Sequence, residues 1–190
     1  MHPFHQFINQ YVSLKTSDWL QIEEKISMSH IEKGEHLLRE GQICRYLYFL
    51  EKGLLRYYIQ KDGNDITKFF TDAPYTFTSQ LSFIKRVASG ESIEAIEDSI
   101  IWSISLDAAN ELLSIPAWSE FIRKLILEVQ GYVEEILTDT QTKTAQERYS
   151  ILLQKNPFLI QRIPQKYIAS YLGIEPQSLS RIRKKLAYKS

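Results

Sequence analysis

Residues 163 to 186 read IPQKYIASYLGIEPQSLSRIRKKL. Ile168, Ala169 and Leu172 recur at helical spacing and give one apolar face. Gly173 supplies the flexible residue at that helix's C-terminus, and Ile174 can plug back into the core. Pro176 fits the first position of a second helix, where its missing N–H costs nothing. Leu179, Ile182 and Leu186 form the buried stripe of that helix, so Gln177, Ser178, Ser180, Arg181, Arg183 and Lys184 point away from it. A helix of about 11 residues is roughly 16 Å long. Its donor-rich face suits a DNA major groove, where Arg pairs with guanine and Gln with adenine. Two helices joined by a tight glycine-containing turn, the second one basic, have the form of a helix-turn-helix.

Charge separates around this stretch. The chain has 190 residues with 23 Lys plus Arg and 23 Asp plus Glu, hence no net charge. From Thr144 to Ser190, however, nine cations (Arg148, Lys155, Arg162, Lys166, Arg181, Arg183, Lys184, Lys185, Lys189) face only Glu147 and Glu175. That leaves the carboxy-terminal segment at +7 and the rest of the chain at −7. Such polarity fits a polyanion-binding module joined to a body with another task, the plainer reading being a solvated basic tail.

Composition narrows the class. With 44% hydrophobic residues, 7 Gly and 6 Pro, the chain is globular and long enough for a continuous core. Cys44 is the only cysteine, which excludes an internal disulfide and an all-cysteine metal site within one chain and favours the cytosol. No apolar run approaches the roughly 18 residues that span a bilayer, and MHPFHQFINQ lacks the basic-then-apolar order of a signal peptide.

Working toward the amino terminus, Thr144 and Glu147 fit a capping box that opens a helix through Tyr149, Leu152 and Leu153, ended by Asn156-Pro157. From about Ala117 to Asp139, Ile122, Leu125, Val129, Tyr132 and Ile136 fall at steps of three and four. That seam packs either on the chain's own body or on a second copy, and the pattern does not choose. Between Met28 and Leu106 the texture is β-branched and aromatic, broken by glycines. Strands are expected near Tyr46 to Leu50, Leu54 to Gln60, Asp65 to Phe70, Ser92 to Ile96 and Ile100 to Ile104, with Lys-Asp-Gly-Asn as one turn. Their spacing favours an all-β barrel, roll or sandwich. Residues 4 to 26 read as short helices, the second capped by Thr16 or Ser17.

The helix-turn-helix stretch resembles the DNA-binding end of the catabolite activator and fumarate-nitrate regulator (CRP/FNR) superfamily of bacterial transcription factors. The resemblance continues along the chain in the order helical piece, glycine-turned β-roll, long helix, helix-turn-helix. It implies an α+β architecture: a cyclic-nucleotide-binding-like β-roll sensor domain (a cupin-like jelly roll with flanking helices) over residues 1–116, a long dimerisation helix and hinge over 117–143, and a helix-turn-helix domain over 144–190. Because the sequence ends at Ser190, that domain is expected to lack a full wing.

The function so implied is a cytoplasmic, sequence-specific transcription regulator that binds an inverted repeat as a homodimer. Its partners would be double-stranded DNA, a second copy of the chain and RNA polymerase. Gln177 and Arg181 match the family's base readers. Lys184 lies where a phosphate contact is expected, Gln165, Lys166 and Ser178 match backbone-touching positions, and Ser180 shares the same polar face. Pro176 stands where the best-known activators read a base with arginine, so the target sequence should differ. Ile122, Leu125, Val129, Tyr132 and Ile136 become the expected dimer contact.

Cyclic-nucleotide-binding relatives hold ribose with a Glu after Gly and phosphate with an Arg. In residues 76 to 99, TFTSQLSFIKRVASGESIEAIEDS, the matching places fall near Thr78, Ser79 and Ser89, with Ser92 close by. Both charged anchors are missing, although Lys85 and Arg86 lie near in sequence. Burying a phosphate without a matched cation is costly, so the pocket is read as degenerate and not controlled by cyclic AMP. The effector is left unidentified. Cys44 is expected to be a packing residue. His2, His5, His30 and His36 show no metal-ligand spacing beyond a weak His2/His5 pair, so no metal or cofactor is expected. An enzyme on this roll would need a histidine cluster or a nucleophile and base, and neither is found. The non-enzymatic rival is a small-molecule-binding regulatory module whose basic tail contacts a protein.

Overall fold

The chain opens with two short helices, α1 (Pro3–Ile8) and α2 (Thr16–Glu23). The His2 Nδ1 accepts the Phe4 N–H at 3.1 Å and caps α1. Helix α2 has Lys15 at its cap position and no side-chain cap, because Thr16 and Ser17 are already its first two helical residues. Then follow β1 (Ser27–Ile31), β2 (His36–Leu38), β3 (Tyr46–Lys52), β4 (Leu54–Lys61), β5 (Asn64–Asp72) and β6 (Tyr75–Phe77). A one-and-a-half-turn helix α3 (Gln80–Lys85) precedes β7 (Ser92–Ala95) and β8 (Ser99–Ser105). The rest is helical: α4 (Leu106–Glu111), a 3-10 turn at Leu112–Ser114, α5 (Pro116–Thr142), α6 (Ala145–Lys155), α7 (Pro157–Arg162), α8 (Gln165–Leu172) and α9 (Pro176–Ala187).

This computed structural model describes residues 1–187 and divides into two compact units, residues 1–57 with 70–131 and residues 58–69 with 132–190. Lys189 of the basic count lies outside the described residues.

The strands form two four-stranded sheets, β1-β8-β3-β6 and β2-β7-β4-β5, which is the expected β-roll with flanking helices. Strand β1 lies antiparallel to β8, from Ser27 opposite Ser103 to Ile31 opposite Ser99. All five expected strands are present; β1, β2 and β6 are additional, too polar or too short to stand out. At Gly53, between β3 and β4, φ is +114° and a Cβ would come within 2.9 Å of the Ser99 backbone, so only glycine fits. The β4–β5 loop is Asp62-Gly63, both at positive φ (51° and 78°), as a type I′ hairpin requires.

Strands β3 and β4 are buried along most of their length rather than alternately. For β3 the second cover is aromatic. Phe4 stacks on Phe49 with centroids 4.7 Å apart, Phe7 lies 5.4 Å from Phe49, and Phe121 of α5 sits 6.2 Å from both Phe4 and Phe7. Trp118 joins them fully buried, its indole N–H donating to the Ala109 carbonyl at 3.1 Å. Cys44 is buried, as a packing residue should be.

Helix α5 therefore has a committed face. Trp118, Phe121 and Leu125 are its buried residues, and Glu128 accepts hydrogen bonds from the hydroxyls of Tyr11 (2.8 Å) and Tyr75 (3.1 Å). The expected dimer seam lies partly on this face. Leu125 is 6% exposed and belongs to its own unit's core, while Ile122, Val129 and Ile136 are half-buried and Tyr132 is exposed. The apolar side chains left open are Ile126, Val133 and Leu137, 45–56% exposed and sharing a face, with Leu127 beside them. A helix with two adjacent apolar stripes gives the same three-and-four spacing whichever stripe is followed.

Candidate nucleic-acid interface

In the second unit, α6 begins with the expected capping box: Glu147 Oε2 accepts the Thr144 N–H at 2.8 Å and Thr144 Oγ1 accepts the Glu147 N–H at 3.3 Å. Asn156-Pro157 ends α6, and Pro157 starts the unforeseen α7. Tyr149, Ile160, Ile163, Ile168, Ala169, Leu172 and Leu179 are buried and give the unit its core. Arg148 is spent internally: it donates to the Tyr171 carbonyl at 2.7 Å, at the C-terminus of α8 where carbonyls lack helical donors. Lys155 is likewise paired, with Glu135.

Helix α8 ends as a Schellman motif. Gly173 has φ +70°, its N–H reaches the Ser170 carbonyl at 3.1 Å, and the Ile174 N–H reaches the Ala169 carbonyl at 3.0 Å. After this turn Pro176 opens α9, with the Ser178 and Leu179 N–H groups bonded back to the Glu175 carbonyl. Leu179 is fully buried and Ile182 and Leu186 are half-buried, which turns the other face outward.

That face carries Gln177, Ser180, Arg181, Arg183 and Lys184, all exposed; Ser178 is half-buried at its edge. Gln165 and Lys166 are exposed at the first turn of α8, the Lys166 ammonium 4.8 Å from the centre of the Tyr167 ring. Among the described residues, Gln165, Gln177, Ser180, Arg181 and Lys184 have no hydrogen-bond or ion-pair partner. Two segments about a dozen residues apart in the chain, the start of α8 and the outer face of α9, thus present uncommitted donors.

The roll interior is organised oppositely. Ser79, Ser89 and Ser92 are 3–4% exposed and already bonded. Ser79 Oγ lies 3.1 Å from Ser89 Oγ and donates to Glu91 Oε1 at 2.9 Å, Ser89 Oγ donates to the Glu91 carbonyl at 2.8 Å, and Ser92 Oγ accepts the Glu40 N–H at 2.9 Å. Thr78, half-buried, donates to the Tyr46 carbonyl at 2.9 Å and sits 3.3 Å from Cys44 Sγ. Lys85 and Arg86 do not substitute for the missing cation: both are exposed, and Arg86 turns to Asp107 at 3.4 Å. The buried cation of the roll is Arg56, which pairs with Glu94 at 2.6 Å. It escaped the sequence reading because a lone Arg within an aromatic strand resembles a solvent-facing residue. Among the described residues no group of three His, Cys, Asp or Glu gathers as metal ligands. No described helix is long and apolar enough to cross a membrane.

Residues 28–115 match the cyclic nucleotide-binding domain family. No curated protein matches the sequence. Among solved structures, the chain is similar to the c-di-GMP responsive global regulator CLP of Xanthomonas campestris (TM-score 0.73, 11% identity, 92% of this chain and 93% of that one). It is similar to a Eubacterium rectale protein assigned to the CRP/FNR family of transcriptional regulators (TM-score 0.70, 19% identity, 93% and 85% covered). A CooA variant of Carboxydothermus hydrogenoformans is a third likeness (TM-score 0.68, 16% identity, 88% and 79% covered).

Proposed function

We infer that this chain, CRP/FNR-like in fold and with a β-roll of the cyclic nucleotide-binding domain family, is a homodimeric, sequence-specific DNA-binding transcription regulator. The observation that carries the reading is the open polar face of α9 together with the start of α8. Arg181 and Gln177, in the first two turns of α9, read base edges through bidentate hydrogen bonds. Gln165, Lys166 and Ser178 hold the sugar-phosphate backbone, Lys184 takes a phosphate one turn further along, and Ser180 adds a hydroxyl to the same face.

Dimerisation runs through α5, on the stripe Ile126, Val133 and Leu137 with Ile122 and Val129 at its margin. Two copies would then set two recognition helices about 34 Å apart, one helical turn of DNA. RNA polymerase is the expected further partner of such a regulator. The roll does not take cyclic AMP: Ser79 already serves the Glu91 carboxylate, Ser89 the Glu91 backbone carbonyl, and Arg56 is held by Glu94, so a phosphate would meet an anion where it needs a cation.

The test is selection of fragmented genomic DNA on purified, ligand-free protein, followed by sequencing. An inverted repeat with half-sites about one helical turn apart is the expected result. Retention of no fragment even at low salt would sink the reading and favour a regulatory module whose basic segment contacts a protein.

A further inference from the structure

Strand β2, the loop after it and the start of β3 enclose an open cavity of about 480 Å³, wholly within the first unit. Pockets for small organic molecules run from about 300 to 1,000 Å³ and pair mostly apolar walls with a few convergent polar groups. Here the apolar part has depth. Leu38 and Tyr48 are buried, Leu37 is half-buried, and Ile43 and Tyr46 are exposed at the outside. The Tyr46 and Tyr48 rings lie 6.0 Å apart, and Phe77 stacks on Tyr48 at 5.2 Å, which fixes that ring in place. Thr78, Ser79, Ser89 and Ser92, the positions matched to nucleotide binding, are not among the lining residues, so the cavity is a separate place on the roll.

The polar part of the lining consists of Gln42 and Arg45, both exposed. Gln42 Oε1 accepts the Arg39 N–H at 3.0 Å, which uses the acceptor end of the amide and leaves its Nε2 to donate. Arg45 has no hydrogen-bond or ion-pair partner among the described residues. No lining residue is acidic, and burial holds the Tyr48 hydroxyl above its ordinary value of 10, so it stays uncharged. Side-chain donors and one cation with no anion to answer them favour a ligand of single negative charge. A guanidinium matches one carboxylate in a bidentate pair, whereas a phosphate dianion would keep half its charge unanswered. The apolar walls add the second criterion, since Ile43 and Tyr46 lose water only against a hydrocarbon surface.

We propose that this cavity binds a small organic monocarboxylate with an apolar body. The carboxylate pairs with Arg45 and takes a further hydrogen bond from Gln42, while the hydrocarbon part lies against Leu38, Ile43, Tyr46 and Tyr48. The site goes beyond the DNA-binding reading and is tested without DNA.

The experiment titrates the full chain with octanoate and 3-phenylpropionate, with their uncharged primary amides, and with inorganic phosphate, following backbone amide shifts and ligand-to-protein nuclear Overhauser contacts. At least one acid should bind at about 1 mM or tighter, with contacts to Ile43 and Tyr46; the tighter of the two identifies the body as chain or ring. Its amide should bind about fivefold or more weakly, and phosphate should not compete. Arg45→Gln should weaken the acid by a similar factor and leave the amide unchanged. Ile43→Glu, which places a carboxylate in the wall, should weaken the acid at least as much. Both substitutions fall on exposed side chains, and melting midpoints should confirm intact folding. Neither acid binding by about 10 mM would overturn the proposal, as would equal affinity for acid and amide or undiminished binding of the acid by Arg45→Gln. Phosphate binding as tightly as the acids would overturn the role of the apolar walls.

Discussion

The exposed face of α9 and the interior of the roll are both rich in serine and in charge, yet they stand in opposite states. On α9 and the start of α8, Gln165, Gln177, Ser180, Arg181 and Lys184 have no partner among the described residues. In the roll, Ser79 and Ser89 are closed onto Glu91, and Ser92 onto the Glu40 amide. A polar group that already has its hydrogen bonds must lose them to take a ligand; one exposed to water exchanges them at little cost. The uncommitted polar groups compared here therefore lie on α8 and α9, and the fold of the roll does not by itself make its interior a receptor.

The sharpest way to break this comparison is to remove the second copy that the proposed function calls for. Val133→Asp with Leu137→Asp places two carboxylates on the open stripe of α5, where neither side chain supports the core of its own chain. Sedimentation should show the mass halved with helix content unchanged. Affinity for the full inverted repeat should drop by about two orders of magnitude or more, while half-site affinity stays, since linked binding is lost but no DNA contact is. A dimer that survives both substitutions would move the interface elsewhere.

Next in size, Arg181→Ala should cost about 1 to 3 kcal/mol of discrimination at one base position. Lys166→Ala should weaken binding to all sequences and lower the salt slope by about one. Equal losses on specific and random DNA for both variants would dissolve the division between reading and holding.

How much of this was legible before the structure follows from range. The α8–α9 turn is local: Gly173 and Pro176 lie three residues apart, and the Schellman bonds and helix start they predict are both present. The capping box at Thr144 and the Asp62-Gly63 hairpin are equally local. What sequence did not reveal depends on partners far apart in the chain. Ser170 meets Asp65 and Thr67 across about a hundred residues, and nothing near Ser170 marks it. Arg56 finds Glu94 only once β4 and β7 are neighbours in one sheet. On α5 the obstacle was degeneracy: Leu125 and Ile126 are adjacent in sequence and either continues the spacing, but only the aromatic cluster around Phe121 decides which is buried.

A smaller effect tests the closed half of the comparison. Glu91→Ala removes the acceptor of Ser79, which should cost about 1 kcal/mol and lower the melting midpoint by roughly 2 to 4 °C for a chain of this size. Cyclic AMP at about 1 mM should leave the midpoint of the wild-type protein unmoved, since a ligand stabilises only what it binds. A rise of several degrees would show that the cluster opens.

The smallest effect concerns a third polar group consumed by the fold. His2 lies between Trp19 and Trp102, with ring centroids 4.8 and 4.3 Å away, and its Nδ1 must be unprotonated to accept the Phe4 N–H. The neutral ring therefore carries its hydrogen on Nε2, and the proton gained on acidification goes to Nδ1, where it would face the Phe4 N–H instead of accepting it. Burial holds its pKa below the ordinary value of 6.5, against the weaker opposing pull of Glu23 and Glu51. The unfolded chain therefore takes up this proton first on acidification. Stability from His2 is complete above pH 6.5 and is lost as pH falls from there toward the lower folded value. His2→Asn keeps a side-chain acceptor at the cap and does not titrate in this range. Melting midpoints compared between pH 7.5 and 5 should fall less in His2→Asn than in wild type, and equal slopes would show that His2 is not the group whose charge the aromatic cluster resists.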